Sequence, residues 1–348
     1  MKKDRKNTAF SLIILIIVLF CIMIISATLG VADIGFFEGI RILLNKIPII
    51  GDFINTDGIK DIYSTIVLKV RLPRIFMAAI VGSGLSVVGA AYQGMFKNPM
   101  ADPYVLGISS GSALGASIAI VLGFKKGFMG TGAIGIFAFI FSLLTAFLVY
   151  NFARVKNKIP TINLLLSGIA VSFFCSSLMS VVMMFNRDNL EDIVFWNMGS
   201  VAAANWESVF ILFVINTIGI LLIFSLRRDL NIMSVDEDSA KTLGVEVEKV
   251  KKYIIFISSL IVAFTVAQSG IIGFVGLVIP HIVRIIWGPD FKKLIPLSVV
   301  VGAIFLVICD TLARILVPPA EIPVGVITSL FGVPFFIYLL NKNKKRGI

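Results

Sequence analysis

The sequence contains few charged residues. Asp, Glu, Lys and Arg make up 15% of its 348 residues, whereas soluble domains carry about 25%. Apolar residues make up 58%. They form long unbroken runs, as membrane helices do, and not the alternating pattern of a β-barrel. A soluble enzyme and a disordered protein are therefore excluded, a β-barrel is disfavoured, and the composition predicts a membrane protein built from helices.

Residues for catalysis and metal binding are also scarce. The chain has one histidine, His281, which we interpret as structural. Its three cysteines, Cys21, Cys175 and Cys309, lie in apolar runs without CxxC spacing, which makes disulfides and metal clusters improbable. No G-x-x-x-x-G-K-[ST], H-E-x-x-H or G-x-S-x-G occurs. We expect no catalytic residue, metal site, nucleotide site or cofactor in this chain.

The net charge of +11 does not indicate nucleic-acid binding, because the basic residues are spread between the apolar runs. Residues 1–6 resemble the start of a signal peptide, but the run 9–31 is too long for one and lacks an A-x-A site. We interpret it as a retained first span. Ten spans are expected, with bounds good to a few residues: 9–31, 75–95, 104–123, 131–153, 160–185, 206–226, 253–269, 271–287 (interrupted), 296–316 and 324–340.

An even number of spans places both termini on one side. The segments on that side hold about two thirds of the 31 Lys and Arg residues, and such an excess marks the cytoplasmic side. The sequence thus predicts cytoplasmic termini.

Small residues recur at four-residue spacing in the second and third spans. Such stripes let helices approach closely in lipid, and we favour packing over a flexible gate. They are Gly82, Ser86, Ala90 and Gly94, then Gly107, Gly111 and Gly115. Asp102 and Pro103 predict the start of the third span, as an N-cap followed by proline.

Two segments interrupted by Gly and Pro occupy matching places, 94–99 and 273–280. The seventh span follows the second by five, an odd number, so the set of spans that begins with the seventh would run upside down as an inverted repeat, and 94–99 would then face 273–280. Paired interruptions of this kind point to a transport pathway.

Ionisable residues within the spans are few. Asp310 and Arg314 are four residues apart and can pair on one helix face. We find no unpaired carboxylate at mid-membrane, which weakens the reading as a proton-coupled carrier.

The loop 227–252 is the largest on the predicted cytoplasmic side. Ser234 and Glu237 form a capping-box pattern, and the helix they begin would run to Leu243 and stop at Gly244. An interfacial helix on lipid is the alternative, but the acidic start, Asp236 to Asp238, opposes anionic lipid. We expect a protein partner.

These residues resemble the FecCD-type permease subunits of binding-protein-dependent ABC importers for iron chelates, haem and vitamin B12. The resemblance spans nearly the whole chain. It rests on ordered blocks at 71–74 (RLPR), 89–94 (GAAYQG), 98–103 (NPMADP), 106–111 (LGISSG), 164–168 (LLLSG), 274–281 (FVGLVIPH), 310–314 (DTLAR) and 321–325 (EIPVG).

The resemblance implies an all-α, vitamin B12 importer-like permease fold in a bacterial cytoplasmic membrane. It implies a second permease subunit, in a homodimer or close heterodimer. Two cytoplasmic ATPases would bind ATP and Mg, and an extracytoplasmic binding protein would deliver the substrate. We expect an iron(III)–siderophore complex, with haem or vitamin B12 as alternatives. An ion-coupled secondary transporter is the alternative of a different class.

The resemblance also implies site residues. Arg71, Arg74 and Arg314 would dock the binding protein, unless they reach for lipid headgroups. The region 234–249 would couple to the ATPase, through Val235, Asp236, Glu237, Ala240, Leu243 and Gly244. Asn98, Met100 and Thr161 would lie at the cytoplasmic gate.

The fifth span carries a small, polar stripe that suits a wide, weakly binding channel, although serines at this spacing also serve packing. Both readings stay open for its members, Asn163, Ser167, Gly168, Ser172, Ser176 and Ser180.

Overall fold

The computed structural model describes residues 2–30, 32, 34–46, 59–124 and 130–344, in which the chain forms fifteen α-helices. In chain order these are α1 (Lys2–Thr28), α2 (Phe36–Asn45), α3 (Asp61–Thr65), α4 (Leu72–Met95), α5 (Ile108–Val121), α6 (Gly130–Ala153), α7 (Thr161–Phe185), α8 (Leu190–Asn197), α9 (Trp206–Ser225), α10 (Arg227–Met233), α11 (Glu237–Thr242), α12 (Val247–Ser269), α13 (Val275–Trp287), α14 (Phe291–Ile315) and α15 (Val324–Lys344).

Length and hydropathy separate the membrane helices from the rest. Among the described residues, seven helical stretches are long and apolar enough to cross a membrane, and shorter apolar helices occur at α5, α13 and in α15. Together these make ten, and the prediction of an all-helical protein with about ten spans is confirmed. α1 and α7 expose most of their apolar side chains, as expected of helices that meet lipid or another chain.

Contacts between helix ends define two faces of the bundle. We call the end where α1 begins and α15 ends the terminal face, and the opposite end the far face. Arg74 at the start of α4 meets Asp310 near the end of α14 at the far face. Lys251 near the start of α12 meets Glu237 of α11 at the terminal face.

α4 lies at the centre of the bundle, and nearly all of its residues are buried. Gly82 and Ser86 pack against Gly302 of α14, and Gly89 packs against Gly276 of α13. A side chain at Gly82 or Gly89 would meet backbone atoms of the neighbouring helix. The small stripe therefore brings helix backbones into contact, which supports the packing interpretation.

The glycine stripe of α5 packs in the same way. Gly111 and Gly115 lie against Phe141 of α6, and Gly111 also contacts Thr145. Polar side chains in this region mostly bond to helix carbonyls one turn back, as Thr145 does to Phe141.

Two of the apolar helices begin inside the bundle. The Gln93 amide donates to the carbonyls of Gly276 and Leu277 at the start of α13. The Tyr104 hydroxyl donates to the Ile272 carbonyl and accepts from the Ile272 N–H. Residues that flank the first interrupted segment, 94–99, therefore bond to the second segment and to Ile272 just before it, and these backbone groups are satisfied within protein.

The expected start of the third span is wrong. α5 begins at Ile108, and its N-cap is Gly107 with φ +71°. The Asp102 carboxylate instead accepts from the Tyr104 N–H within a turn. An Asx turn and an N-cap use the same side-chain acceptor, so the local sequence does not separate them.

Other helices begin earlier than expected. α14 begins at Phe291 with Asp290 as its N-cap, and Pro296 lies inside the helix. α12 begins at Val247. α4 continues a helix that starts at residue 61 and passes through a π-helical segment, Ile66–Arg71.

Candidate functional site

A buried ionic network joins α1, α4 and α14 at the far face. The Arg74 guanidinium donates to the Asp310 carboxylate at 2.9 and 3.2 Å and to Glu321 at 2.6 Å. Arg314 lies 3.3 Å from Oδ2 of the same Asp310 carboxylate, so the expected pairing of Asp310 with Arg314 is confirmed. Asp310 is 1% exposed, whereas the Glu321 side chain is 39% exposed.

Backbone carbonyls of α1 and the chain after it complete this network. Arg71 donates to the carbonyls of Ala27, Thr28 and Ala32 at 2.8–3.0 Å. Arg314 donates to the Ser26 hydroxyl at 2.6 Å. The arginines therefore hold the far-face end of α1 against the bundle.

The expectation of exposed docking arginines is wrong about exposure. Arg71, Arg74 and Arg314 are only 3–5% exposed. Their hydrogen bonds go to groups of the chain itself, because a buried guanidinium must be paired. A role of these arginines in docking stays a prediction.

A short helix stands between α10 and α12 at the terminal face. α11 has Asp236 as its N-cap, whose carboxylate accepts from the Ser239 N–H at 2.8 Å. This hydrogen bond holds the pKa of Asp236 below its ordinary value. The pKa of Lys241 moves in the opposite direction, because its hydrogen bond to Asp238 raises it. Both side chains are therefore charged at neutral pH.

The predicted capping box at Ser234 is wrong. The Ser234 hydroxyl donates to the Asn231 carbonyl, and Ser234 ends α10. Asp236 lies closer to the helix start and is itself a preferred N-cap, so it takes that position. At the other end, Gly244 adopts φ +81°, the left-handed conformation of a C-terminal glycine.

α11 combines a buried anchor with exposed apolar ends. Ala240 is fully buried, whereas Val235 and Leu243 are 80% and 65% exposed. Isolated exposed apolar residues are common, but here two of them flank one short helix on the terminal face. The helix can therefore present an apolar edge to a partner.

Ion pairs connect α11 to the segments expected to form the gate. Lys97 lies 3.9 Å from Asp236, and it precedes Asn98, whose side chain accepts from the Met100 N–H. Buried Lys251 lies 2.9 Å from Glu237 and 3.9 Å from Glu248.

Glu248 continues this connection toward α7. Its carboxylate accepts from the Ile159 N–H at 2.7 Å, two residues before Thr161, where α7 begins. The structure thus brings α11 and both predicted gate segments together through charged side chains.

The polar stripe of α7 divides between two surroundings. Gly168 is buried, and a side chain there would meet the Val105 carbonyl. Ser172 lies half-buried near Gly107. Ser180 is exposed, and its hydroxyl donates to the Ser176 carbonyl. Packing thus accounts for Gly168, while Ser180 stands on the open surface. The remaining members, Asn163, Ser167 and Ser176, are half-buried.

Comparison with known proteins adds the family. The sequence model of the FecCD transport family matches residues 13–342. This chain belongs to the FecCD transport family. It is therefore a multi-pass membrane permease of the ABC importer type.

Relatives of this FecCD permease cover most of its length. The uncharacterized ABC transporter permease protein YvrB of Bacillus subtilis is 41% identical over 286 residues, 82% of this chain and 81% of that protein. The cobalamin import system permease of Halobacterium salinarum is 38% identical over 293 residues, 84% of this chain and 77% of that protein. Further relatives are named as molybdate, hemin and iron(3+)-hydroxamate permeases.

A solved structure agrees with the sequence matches. An inward-facing structure, described as a metal-chelate type ABC transporter, aligns with a TM-score of 0.81 at 34% identity. The alignment covers 96% of this chain and 99% of that chain.

The sequence of this FecCD permease did not reveal which residues connect distant segments. Gln93, Tyr104 and Glu248 bond to groups far away in sequence, and no local pattern marks such partners. Glu321 carried a signal as part of a recognised block, but its pairing with Arg74 required the fold. Within the described residues, no group of three or more His, Cys, Asp or Glu side chains could hold a metal ion.

Proposed function

We propose that the chain is the transmembrane subunit of an ABC importer that moves an iron(III)–siderophore complex into the cytoplasm. α11 carries this proposal. It is a capped helix with exposed apolar ends. An ion pair joins it to the segment of Asn98, and Lys251 and Glu248 connect it to the chain before Thr161. In the proposed complex, two separate ATPase subunits engage this helix and supply the energy of ATP.

The substrate class is supported by the named relatives. An iron(3+)-hydroxamate permease and a metal-chelate type transporter are among them. Haem and vitamin B12 are the alternative cargoes, since hemin and cobalamin permeases of similar identity also match. The proposed assembly contains two copies of this chain, two ATPases and a binding protein at the far face.

Uptake by the reconstituted complex tests this function. Proteoliposomes with the permease, its ATPase and its binding protein should accumulate iron–siderophore only when ATP is on the ATPase side. Faster uptake of haem or cobalamin than of iron–siderophore would reassign the cargo. Uptake by the permease alone, driven by an ion gradient, would contradict the ABC mechanism.

A further inference from the structure

A cavity opens among the far-face ends of α6, α9 and α12. Its volume is about 550 Å³, within the size range of small-molecule sites. The segment that joins α8 to α9 closes one side. α7 and α15 contribute no lining residue, so the cavity is separate from the polar stripe of α7.

The walls of the cavity are apolar and aromatic. The rings of Phe139 and Phe264 pack in a tilted arrangement with centroids 4.3 Å apart, and both line the cavity. Phe195, Ile136 and Ile211 also line it and are 53%, 54% and 41% exposed. The cavity is thus continuous with an apolar outer surface of the kind that contacts acyl chains.

The mouth of the cavity is polar and lies at the level of helix ends. Asn205 caps α9, and its side-chain oxygen accepts a hydrogen bond from the Ser208 N–H. Glu207 and Gln268 line the cavity and are exposed. Neither side chain has a hydrogen bond or ion pair within the described part of the chain. Nearby, Trp206 donates its indole N–H to the Leu68 carbonyl, and tryptophans concentrate at the membrane–water interface.

The charge of the lining residues indicates which lipid headgroup can bind in the cavity. Among the described lining residues, Glu207 is the one charged group, and none is basic. A lipid with only a phosphate charge would bring like charges together at the edge of an apolar environment, where repulsion is poorly screened. A headgroup with a primary ammonium brings a donor and a positive charge to the carboxylate.

We propose that this cavity is a binding site for an aminophospholipid of the far-face leaflet. The Glu207 carboxylate accepts hydrogen bonds from the headgroup ammonium, and the Gln268 amide donates to the phosphate. Part of an acyl chain lies along Ile136, Phe139 and Phe264. This site is independent of the transported substrate, and it requires only that the chain spans a membrane.

Lipid titration of the purified full-length permease tests the site. Delipidated protein in detergent would be titrated with phosphatidylethanolamine, phosphatidylcholine or phosphatidylglycerol of identical chains, and bound lipid measured by native mass spectrometry. We expect the ethanolamine lipid to bind most tightly and the glycerol lipid most weakly. Phosphatidylcholine should be intermediate, because its ammonium carries charge but donates no N–H. Soluble phosphoethanolamine should not compete at millimolar concentration, since it lacks the acyl chain.

Variants locate the binding within the cavity. Glu207→Gln should weaken phosphatidylethanolamine binding about tenfold, because the variant loses the ion pair with the headgroup ammonium. A tenfold change in affinity corresponds to about 1.4 kcal/mol. Glu191→Gln is the matched control, because Glu191 is exposed on α8 and does not line the cavity. Ala203→Phe, at an exposed lining position, should reduce binding of all three lipids by filling the mouth. Equal binding of ethanolamine and glycerol lipids, or unchanged binding by both cavity variants in folded protein, would overturn the proposal.

Discussion

Asp310 is the residue on which the far-face network depends. It is 1% exposed and pairs with two buried arginines, Arg74 and Arg314. Burying a charge is costly unless it is paired, so the three side chains require one another. Glu321 differs, because its side chain is 39% exposed and water can replace it.

Replacing Asp310 by Asn should destabilise the protein strongly. The change removes the shared negative charge and leaves Arg74 and Arg314 close together in a buried environment. Breaking a buried pair costs about 3 kcal/mol or more. The measurement is thermal unfolding of the purified permease in detergent, with monodispersity as a second readout.

Glu321→Gln is the matched control for Asp310→Asn. It removes a partly exposed partner of Arg74, and surface ion pairs contribute about 0–1 kcal/mol. Its midpoint should stay near that of the wild type. Equal shifts in the two variants would show that burial does not set the strength of this network.

Among the secondary-structure elements, α11 at the terminal face is linked to the two segments predicted to form the gate. Asp236 fixes where the helix begins, Gly244 allows it to end, and Ala240 anchors it. The ion pairs of Lys97 and Lys251 then join it to the neighbouring segments. A displacement of α11 by a partner can therefore be transmitted to the start of α7 through these side-chain contacts.

Ala240→Pro should uncouple ATP hydrolysis from transport. Proline removes the Ala240 N–H that bonds to the Asp236 carbonyl at 3.1 Å, and a proline inside a helix costs about 3 kcal/mol. Membrane insertion should persist, because the apolar helices are untouched. Uptake should fall sharply, as measured in the reconstituted complex together with its ATPase rate.

The controls are Asp238→Ala, which loses the ion pair with Lys241, and Asp238→Pro, which in addition places a proline in the first helical turn, where proline is tolerated. Both variants should keep most of the uptake. If Ala240→Pro transported at the wild-type rate, α11 would not be the coupling element.

Two substitutions distinguish positions of the α7 polar stripe that serve packing from positions that line the pathway. Gly168→Val should lower thermal stability by about 1–3 kcal/mol, because a side chain there meets the Val105 carbonyl. Ser180→Leu should leave stability unchanged, since Ser180 is exposed and leucine is favourable in membrane helices. If Ser180 lines the pathway, uptake by this variant should fall. Normal uptake would assign Ser180 to a lipid or subunit contact.

For the whole molecule, the arrangement of charge predicts its orientation. The terminal face carries α11 and most basic residues of the loops, and positive charge favours the cytoplasmic side. The far face carries the buried arginine network, where Asp310 and Glu321 pair with arginines and backbone carbonyls accept the hydrogen bonds of Arg71.

Cysteine labelling in whole cells tests this orientation. In a chain whose native cysteines are replaced by alanine, Lys241→Cys should react with a membrane-impermeant maleimide only after the membrane is opened. Arg187→Cys, at an exposed far-face position, should react in intact cells. The reverse pattern would place α11 outside and exclude its contact with a cytoplasmic ATPase.

The sequence by itself determined the class of fold and the approximate number of membrane spans. Apolar runs of membrane length are a local property, because each helix must satisfy its own backbone in lipid. The family also followed from short blocks such as 71–74 and 98–103, which keep their order along the chain. Gly82 and Gly111 could be interpreted for the same reason, since the spacing of small residues acts over a few positions. The N-cap of α11 could not, because Ser234 and Asp236 are both residue types preferred as caps.

Only the tertiary structure decided which groups meet. Arg74 and Asp310 are 236 residues apart, and nothing local distinguishes a buried arginine from one that reaches a partner or a headgroup. The start of α5 likewise moved from Asp102 to Gly107, because the preceding turn packs against Ile272 and Gly276. The partner of a charged side chain, its exposure and the residue at which a helix begins therefore all depend on contacts between segments that are distant in sequence. That is why Arg71, Arg74 and Arg314 could be singled out in the sequence, whereas their burial and their partners could not be predicted.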